Sequence, residues 1–261
     1  MEKLYQETYR PQFHFSAPRG WHNDPNGLVY YHGEYHLFYQ HNPFDIEWGP
    51  MHWGHAVSRD MVHWENLPIA LEPDELGTIF SGTAVVDWKD STGFFDGGSG
   101  MVAIFTYHRD DRECQGIAYS RDDGRSWIKY EGNPVLCGDG SKEYRDFRDP
   151  KVFWHEKSQK WIMFVGGGIY RIYSSDDLKH WHFESEPGIW EEFPDVFPLK
   201  VDGTGCEKWV LAAAGYGYYV GDFDGHQFRP QQPYMLADYG KSWQAAYCFN
   251  DMPEDRCVWM A

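Results

Sequence analysis

One turn signature recurs along the chain and limits what it can fold into. Ser58-Arg59-Asp60 precedes Trp64, Ser120-Arg121-Asp122 precedes Trp127, and Ser175-Asp176-Asp177 precedes Trp181. Gly221-Asp222-Phe223-Asp224-Gly225 before Phe228 is a degenerate fourth copy. Intervals of 63, 54 and 47 residues separate Trp64, Trp127, Trp181 and Phe228. The chain between signatures reads as short strands divided by turns. A period near 50 with four strands per period predicts an all-β protein built as a β-propeller rather than a sandwich. The Ser and Asp of each copy are expected to bond turn amides, with the aromatic residue packing between blades.

The expected strands fall into sets of four. Leu28 to Tyr31 and Glu34 to Gln40 flank His32-Gly33 at hairpin spacing, and His52 to Ser58 and a strand near Trp64 complete the first set. Corresponding sets begin at Ser81, Asp149 and Phe193. Ser242 to Phe249 and Cys257 to Met260 begin another. The expected boundaries within one propeller domain (1–261) are 13–67, 78–131, 146–184 and 190–230, with a partial fifth blade over 242–261.

Composition narrows the function. The formal charge is −17, from 23 basic and 40 acidic residues, which argues against a nucleic-acid or anionic-membrane partner. Aromatics make up 18% of the chain, suited to stacking sugar rings. The first residues lack the apolar run of a signal peptide and no 18 consecutive residues are apolar, so a soluble, cytoplasmic protein is expected. Five scattered cysteines without a CxxC pair suggest free buried thiols, with neither a disulfide framework nor a zinc site. His52 and His55 lie three apart on a strand, where alternation sends them to opposite faces, so no metal site and no cofactor are expected.

In a propeller the first strand of each blade lines the central channel, so residues at the starts of first strands converge on one mouth. Those places hold Asp24 in the rigid turn Trp21 to Gly27, Phe80-Ser81-Gly82, Arg148-Asp149-Pro150 and Glu192. Three channel-facing acids are hard to explain as folding devices, because clustered like charges cost stability. A retaining glycosidase needs one ionised carboxylate and one protonated acid. Asp24 is read as the catalytic carboxylate. Arg148 is expected to keep Asp149 ionised, and Glu192, beside Trp190 and Phe193, to be the acid, with Glu191 its competitor.

Taken in order, WHNDPNG, FYQHNP, WGPMHWGHAVSRDMVHW, FSGTAV, FRDP and EFPDVF resemble glycoside hydrolase family 32, the invertases, inulinases and levanases. The resemblance runs from about Phe13 to the end of the chain. It implies a five-bladed propeller followed by a β-sandwich, and retaining cleavage of terminal β-fructofuranosides in sucrose, sucrose 6-phosphate or fructo-oligosaccharides. It further implies Asp24 as nucleophile, Asp149 as transition-state stabiliser and Glu192 as acid/base. Trp21, Asn23, Gln40, Trp48, Phe80, Ser81 and Arg148 are implied to frame the fructose subsite.

Two departures qualify this. Phe193 stands where the family has Cys, and is expected to retune the acid or narrow the subsite. The fifth blade is incomplete and the sandwich is absent from these 261 residues, so impaired turnover and oligomerisation through the incomplete propeller are expected. Fructosyl transfer, a fructose-binding propeller without turnover, and an inverting arabinanase-like furanosidase are the alternatives.

Overall fold

The computed structural model describes residues 5–138, 146–214, 216–254 and 256–261, and among them there is no helix. Blade one is the antiparallel meander β1 (Trp21–Tyr31), β2 (Glu34–Asn42), β3 (His52–Ser58) and β4 (Trp64–Leu71). Blade two is β5 (Thr78–Asp87), β6 (Gly100–Arg109), β7 (Arg112–Ser120) and β8 (Ile128–Lys129), with β9 (Leu136–Cys137) also paired to β7. Blade three is β10 (Arg148–His155), β11 (Lys160–Gly166), β13 (Arg171–Ser175) and β14 (His182–Ser185). Between its strands, β12 (Gly168–Ile169) leaves the blade and pairs with β15 (Trp190–Glu191). Blade four is β16 (Pro194–Lys200), β17 (Glu207–Ala213), β18 (Gly217–Phe223) and β19 (Phe228–Pro230), with β20 (Met235–Leu236) also on β18. A last pair is β21 (Tyr247–Cys248) and β22 (Trp259–Met260).

Two local readings change. The segment Trp21 to Gly27 is not a turn ahead of a strand but the first half of β1, kept in the sheet by register shifts between Asn23 and Pro25 and between Asn26 and Val29. A bulge accommodates Pro25, which has no N–H to give to a ladder, and it re-aims the side chain beside it. Gly27 is required there, since it takes φ 53° and a Cβ would meet the Phe38 ring at 2.5 Å. The cysteines also differ from expectation: Cys114 pairs with Cys137 and Cys248 with Cys257, leaving Cys206 free and exposed. Strand pairing of Cys114 opposite Cys137 brings the first two together, a long-range contact that residue spacing does not encode.

The turn signature behaves as its chemistry dictates. Ser58 Oγ accepts the amides of Asp60 and Met61, Ser120 Oγ those of Asp122 and Gly124, and Ser175 Oγ those of Asp177 and Leu178. The Asp then accepts later turn amides, as Asp60 does from Val62 and His63. The fourth copy keeps only this half: Asp224 accepts from His226 and Gln227, while Asp222 turns away to Lys208. Each indole of Trp64, Trp127 and Trp181 donates back to the turn, to Met61, Gly124 and Leu178 carbonyls.

Those same aromatics fill the gaps between blades. Trp127 packs on a cluster shared by blades one and two (Val29, Phe38, Trp53, Met101, Phe105), and Trp181 on one shared by blades two and three. Phe228 belongs to the cluster between blades three and four, and Trp64 to one joining blade one to Phe193, Ala214, Tyr247 and Phe249. The segment around β21 therefore lies between blades four and one. Its Asn250 exchanges backbone bonds with Leu28 and Tyr30 of β1 and donates from its side chain to the carbonyls of Ala84 and Val152.

Because the Ser175 hydroxyl is buried and satisfies two amides, we expect Ser175→Ala to destabilise the chain by about 1–3 kcal/mol, the cost of leaving buried donors unpaired. Urea unfolding checks this: the midpoint should fall with an unchanged denaturant slope.

Candidate active site

The starts of the first strands meet at one end of the channel, in a cleft of about 320 Å³. Asn23 and Asp24 arrive on β1, Gln40 on β2, Phe80 and Ser81 on β5, Arg148 and Asp149 on β10, and Glu192 just before β16. Trp48 closes one side from the loop between β2 and β3, its ring 6.1 Å from that of Phe80. The sequence-predicted residues thus come together, except Trp21. It does not line the cleft, and its indole donates to Asn23 Oδ1 at 2.6 Å, orienting that amide. The walls also include Phe193, Ala214, Tyr216, Gln244 and Ala245. Sequence reasoning did not place the last four in the site, because they come from blade-four loops and the approach to β21, outside any strand-start pattern.

Backbone geometry sets the acids apart. Asp24 has φ 22°, Asp149 φ 60° and Phe193, next to Glu192, φ 53°. All lie at or beside strand starts, and β10 shifts register between Arg148 and Lys151 as β1 does at Asn23. Side-chain-bearing residues held at positive φ are strained, and the surrounding bonds must enforce them. Around Asp149 that enforcement is visible: Thr106 Oγ1 accepts its amide at 3.1 Å and the Tyr247 hydroxyl donates to its carbonyl at 3.1 Å.

The three carboxyls sit in different environments. Asp149 is 5% exposed. Burial first, then the charge of Asp24, pushes its carboxyl well above the usual range. Asp24 is also raised by burial, opposed by hydrogen bonds from Asn23 and Ser81, whose Oγ donates to Asp24 Oδ2 at 2.9 Å. Arg148, expected to keep Asp149 ionised, pulls its carboxyl down against the larger upward push of burial and Asp24. The Arg148 guanidinium does favour that charge, but it is committed elsewhere, at 2.9 Å to Glu113, 2.6 Å to Asp146 and 3.6 Å to Glu192.

The apolar setting expected for Glu192 is corrected too. Its side chain is 59% exposed at the mouth, beside Arg148. Glu191, the competitor, is drawn into the β12–β15 ladder opposite Gly168 and does not line the cleft. Phe193 is 3% exposed and stacks on Tyr247 with ring centroids 4.1 Å apart, so its ring is chiefly a packing element that ties the acid's backbone to β21. Among the described residues no three His, Cys, Asp or Glu side chains are grouped to hold a metal ion. A second hollow, about 390 Å³ and lined by Trp88, Trp154 and Trp161, lies at the opposite ends of β5 and β10, away from these acids.

A propeller mouth presenting two desolvated aspartates, an arginine and an exposed glutamate defines a class. The chain belongs to glycosyl hydrolases family 32, whose N-terminal domain matches residues 14–261. It is 49% identical over 282 aligned residues to a levanase of Bacillus subtilis, covering 98% of this chain and 41% of that protein. It is 38% identical to an extracellular exo-inulinase of Aspergillus niger, covering 95% of this chain and 56% of the other. Among solved structures, exo-inulinase from Aspergillus awamori superposes with a TM-score of 0.89 at 37% identity, over 98% of this chain and 59% of the other. A fructofuranosidase from Schwanniomyces occidentalis, solved with fructosylnystose, gives 0.88 at 37% identity, over 97% of this chain and 54% of the other. The chain spans about half the length of these relatives.

The electrostatics give a stability prediction. A carboxyl raised in the folded state keeps its proton to higher pH than in the unfolded chain. Its contribution is full below the ordinary aspartate value of 3.8 and is lost as pH rises through the folded value. Asp149→Asn should therefore raise Tm at pH 7, each kcal/mol relieved being worth about 2–4 °C for a chain of this size, with the gain vanishing below about pH 4. Differential scanning calorimetry across pH checks it; a lower Tm at pH 7 would contradict the assignment.

Proposed function

We propose that this chain hydrolyses terminal β-fructofuranosides with retention of configuration. The observation that carries the reading is the pairing of a buried and a half-buried aspartate with an exposed glutamate around one sugar-sized cleft, each acid from a different blade. In this reading Asp24 attacks the anomeric carbon of the fructosyl unit. Glu192 donates its proton to the departing glycosidic oxygen as that bond breaks. A water then enters from the mouth, Glu192 takes its proton, and the oxygen displaces Asp24. The negative potential of the Asp24–Asp149 pair offsets the positive charge that develops on the ring, in a cleft where water screens it little. Asn23, Gln40, Ser81 and Arg148 supply donors and acceptors for the sugar hydroxyls, while Trp48 and Phe80 supply faces for the ring. The names of the relatives, levanase and exo-inulinase, favour fructans over sucrose as first substrates to try.

Asp24→Asn is the decisive variant. It removes the nucleophile while keeping the side chain's size, so turnover of levan, inulin and sucrose should fall by at least about a thousandfold. Ground-state binding, which rests on hydroxyl contacts and stacking, should persist in calorimetry with fructose or a short fructan. Residual hydrolysis within about tenfold of the parent would mean that another residue attacks the sugar.

We further propose that β21 and β22 begin a fifth blade. The support is the channel-lining course of Ala245 to Asn250, which bonds Ala214, Asp195 and Leu28 in turn, as an innermost strand between blades four and one would. Removing residues 242–261 is expected to lower Tm and abolish fructose release together, because Tyr247 and Ala245 support Asp149 and the cleft wall. Unchanged stability in the shortened chain would show that the four blades stand without this segment. The two disulfides support folding in an oxidising compartment rather than the cytoplasm.

A further inference from the structure

Behind the Phe80 and Arg148 walls lies a carboxylate that no sequence motif singles out. Glu113, near the start of β7, is 2% exposed and spends its two oxygens on three partners. Oε1 accepts from Arg148 Nε at 2.9 Å and faces His108 Nδ1 at 2.9 Å, and Oε2 accepts the Phe147 amide at 2.6 Å. His108 in turn lies flat on Phe80, with ring centroids 4.0 Å apart and planes 2° from parallel. One buried group thus touches both the guanidinium and the stacked pair that forms the aromatic wall. Two neighbours complete the arrangement: Gln115 Nε2 donates to the Phe147 carbonyl at 2.7 Å, and Thr106 Oγ1 donates to Gln115 Oε1 at 2.8 Å while accepting the Asp149 amide.

We infer that Glu113 is the positioning residue of this cleft, fixing the direction of Arg148 and the seat of Phe80 at once and setting the charge balance felt by Asp149. The inference rests on the reading of the cleft as a fructoside hydrolase. The physical argument is geometric. A guanidinium on a long side chain has many rotamers. Here Nε is anchored from below by a carboxylate that cannot move, itself held by a backbone amide, while Nη2 reaches Asp146 and Nη1 is left pointing at Glu192. The ionisable groups that bear on the pair are His108 from β6, Glu113 from β7, Arg148 and Asp149 from β10, Asp146 before it, Glu192 before β16 and Asp24 from β1. In that set Glu113 adds negative charge and Arg148 positive. Removing the first leaves the guanidinium to the aspartates.

Glu113→Gln tests this, because it keeps volume and an acceptor for the Phe147 amide while removing the charge. The expected result is a fall in kcat/KM of about tenfold to a hundredfold, together with a shift of the acid limb of its pH profile to lower pH by about one unit. The limb moves down because Asp149 loses a negative neighbour and gains a larger share of Arg148. A residue that only braced the blade would lower the rate at all pH values without moving the limb. Glu113→Asp keeps the charge and shortens the reach, so it should lose rate while the acid limb stays where it is in the parent. It decides the question if the glutamine variant does not fold. Parent kinetics and an unmoved limb in Glu113→Gln, or parent kinetics in Glu113→Asp, would overturn the assignment. Failure of the parent chain to release fructose, with no fructose binding by calorimetry, would instead overturn the functional reading beneath it.

Discussion

The geometry of the mouth depends on a buried ion pair just below it. Lys151 and Asp195, 1% and 0% exposed, face each other at 2.8 Å across the gap between blades three and four. Lys151 Nζ also donates to the Cys248 carbonyl at 3.0 Å, and Asp195 Oδ2 accepts the Cys248 amide at 2.8 Å. Four groups are thereby closed into a ring that links β10, β16 and β21. Isolated buried charges would be costly, and a pair repays its desolvation only when the remaining donors and acceptors are occupied, as the Cys248 backbone arranges here. The pair sits two residues beyond Asp149 on β10 and three beyond Glu192 on the way into β16. A displacement between these strands would be transmitted to the acids with almost no chain in which to absorb it.

That placement explains how the site tolerates its own electrostatics. Asp149 is buried and Asp24 half-buried, both with their backbones at positive φ, an arrangement the folded chain would relax if it could. Relaxation is blocked from three directions: Thr106 and Tyr247 fix the Asp149 backbone, Ser81 fixes the Asp24 carboxyl, and the ion pair below fixes the spacing of the strands that carry them. Strain and like-charge repulsion are thus concentrated at the mouth, while the blades beneath are ordinary, tightly packed sheet.

The fold was legible in the sequence to the extent that it is local. The Ser, Asp and Trp of each turn bond within a few residues of themselves, so their pattern survives in one dimension and marks blade after blade, down to the decayed copy at Asp222 to Phe228. The site was legible because propeller topology turns position within a repeat into position in space, which is how Asp24, Ser81, Asp149 and Glu192 could be brought together on paper. What escaped was non-local. Pairing of Cys114 with Cys137 depends on how β9 returns to β7, and the exposure of Glu192 depends on a ladder between β12 and β15 that no periodicity announces. Arg148 shows the same limit, since its neighbour in sequence is Asp149 but its Nε partner is Glu113, 35 residues away on another blade.

Phe193 joins these levels. Judged as a neighbour of the acid, a large ring there suggested a narrower subsite or a retuned carboxyl. In the fold, positive φ at Phe193 turns its side chain down onto Tyr247 while leaving Glu192 at the mouth, so one residue both aims the acid outward and clasps the segment that follows blade four. Tyr247 is the residue whose hydroxyl holds the Asp149 carbonyl. The ring of Phe193 therefore supports the glutamate through its own backbone and the buried aspartate through its stacking partner. Substitution at this position would be felt first at the two acids rather than in the width of the cleft, because the contacts it would remove lie beneath them.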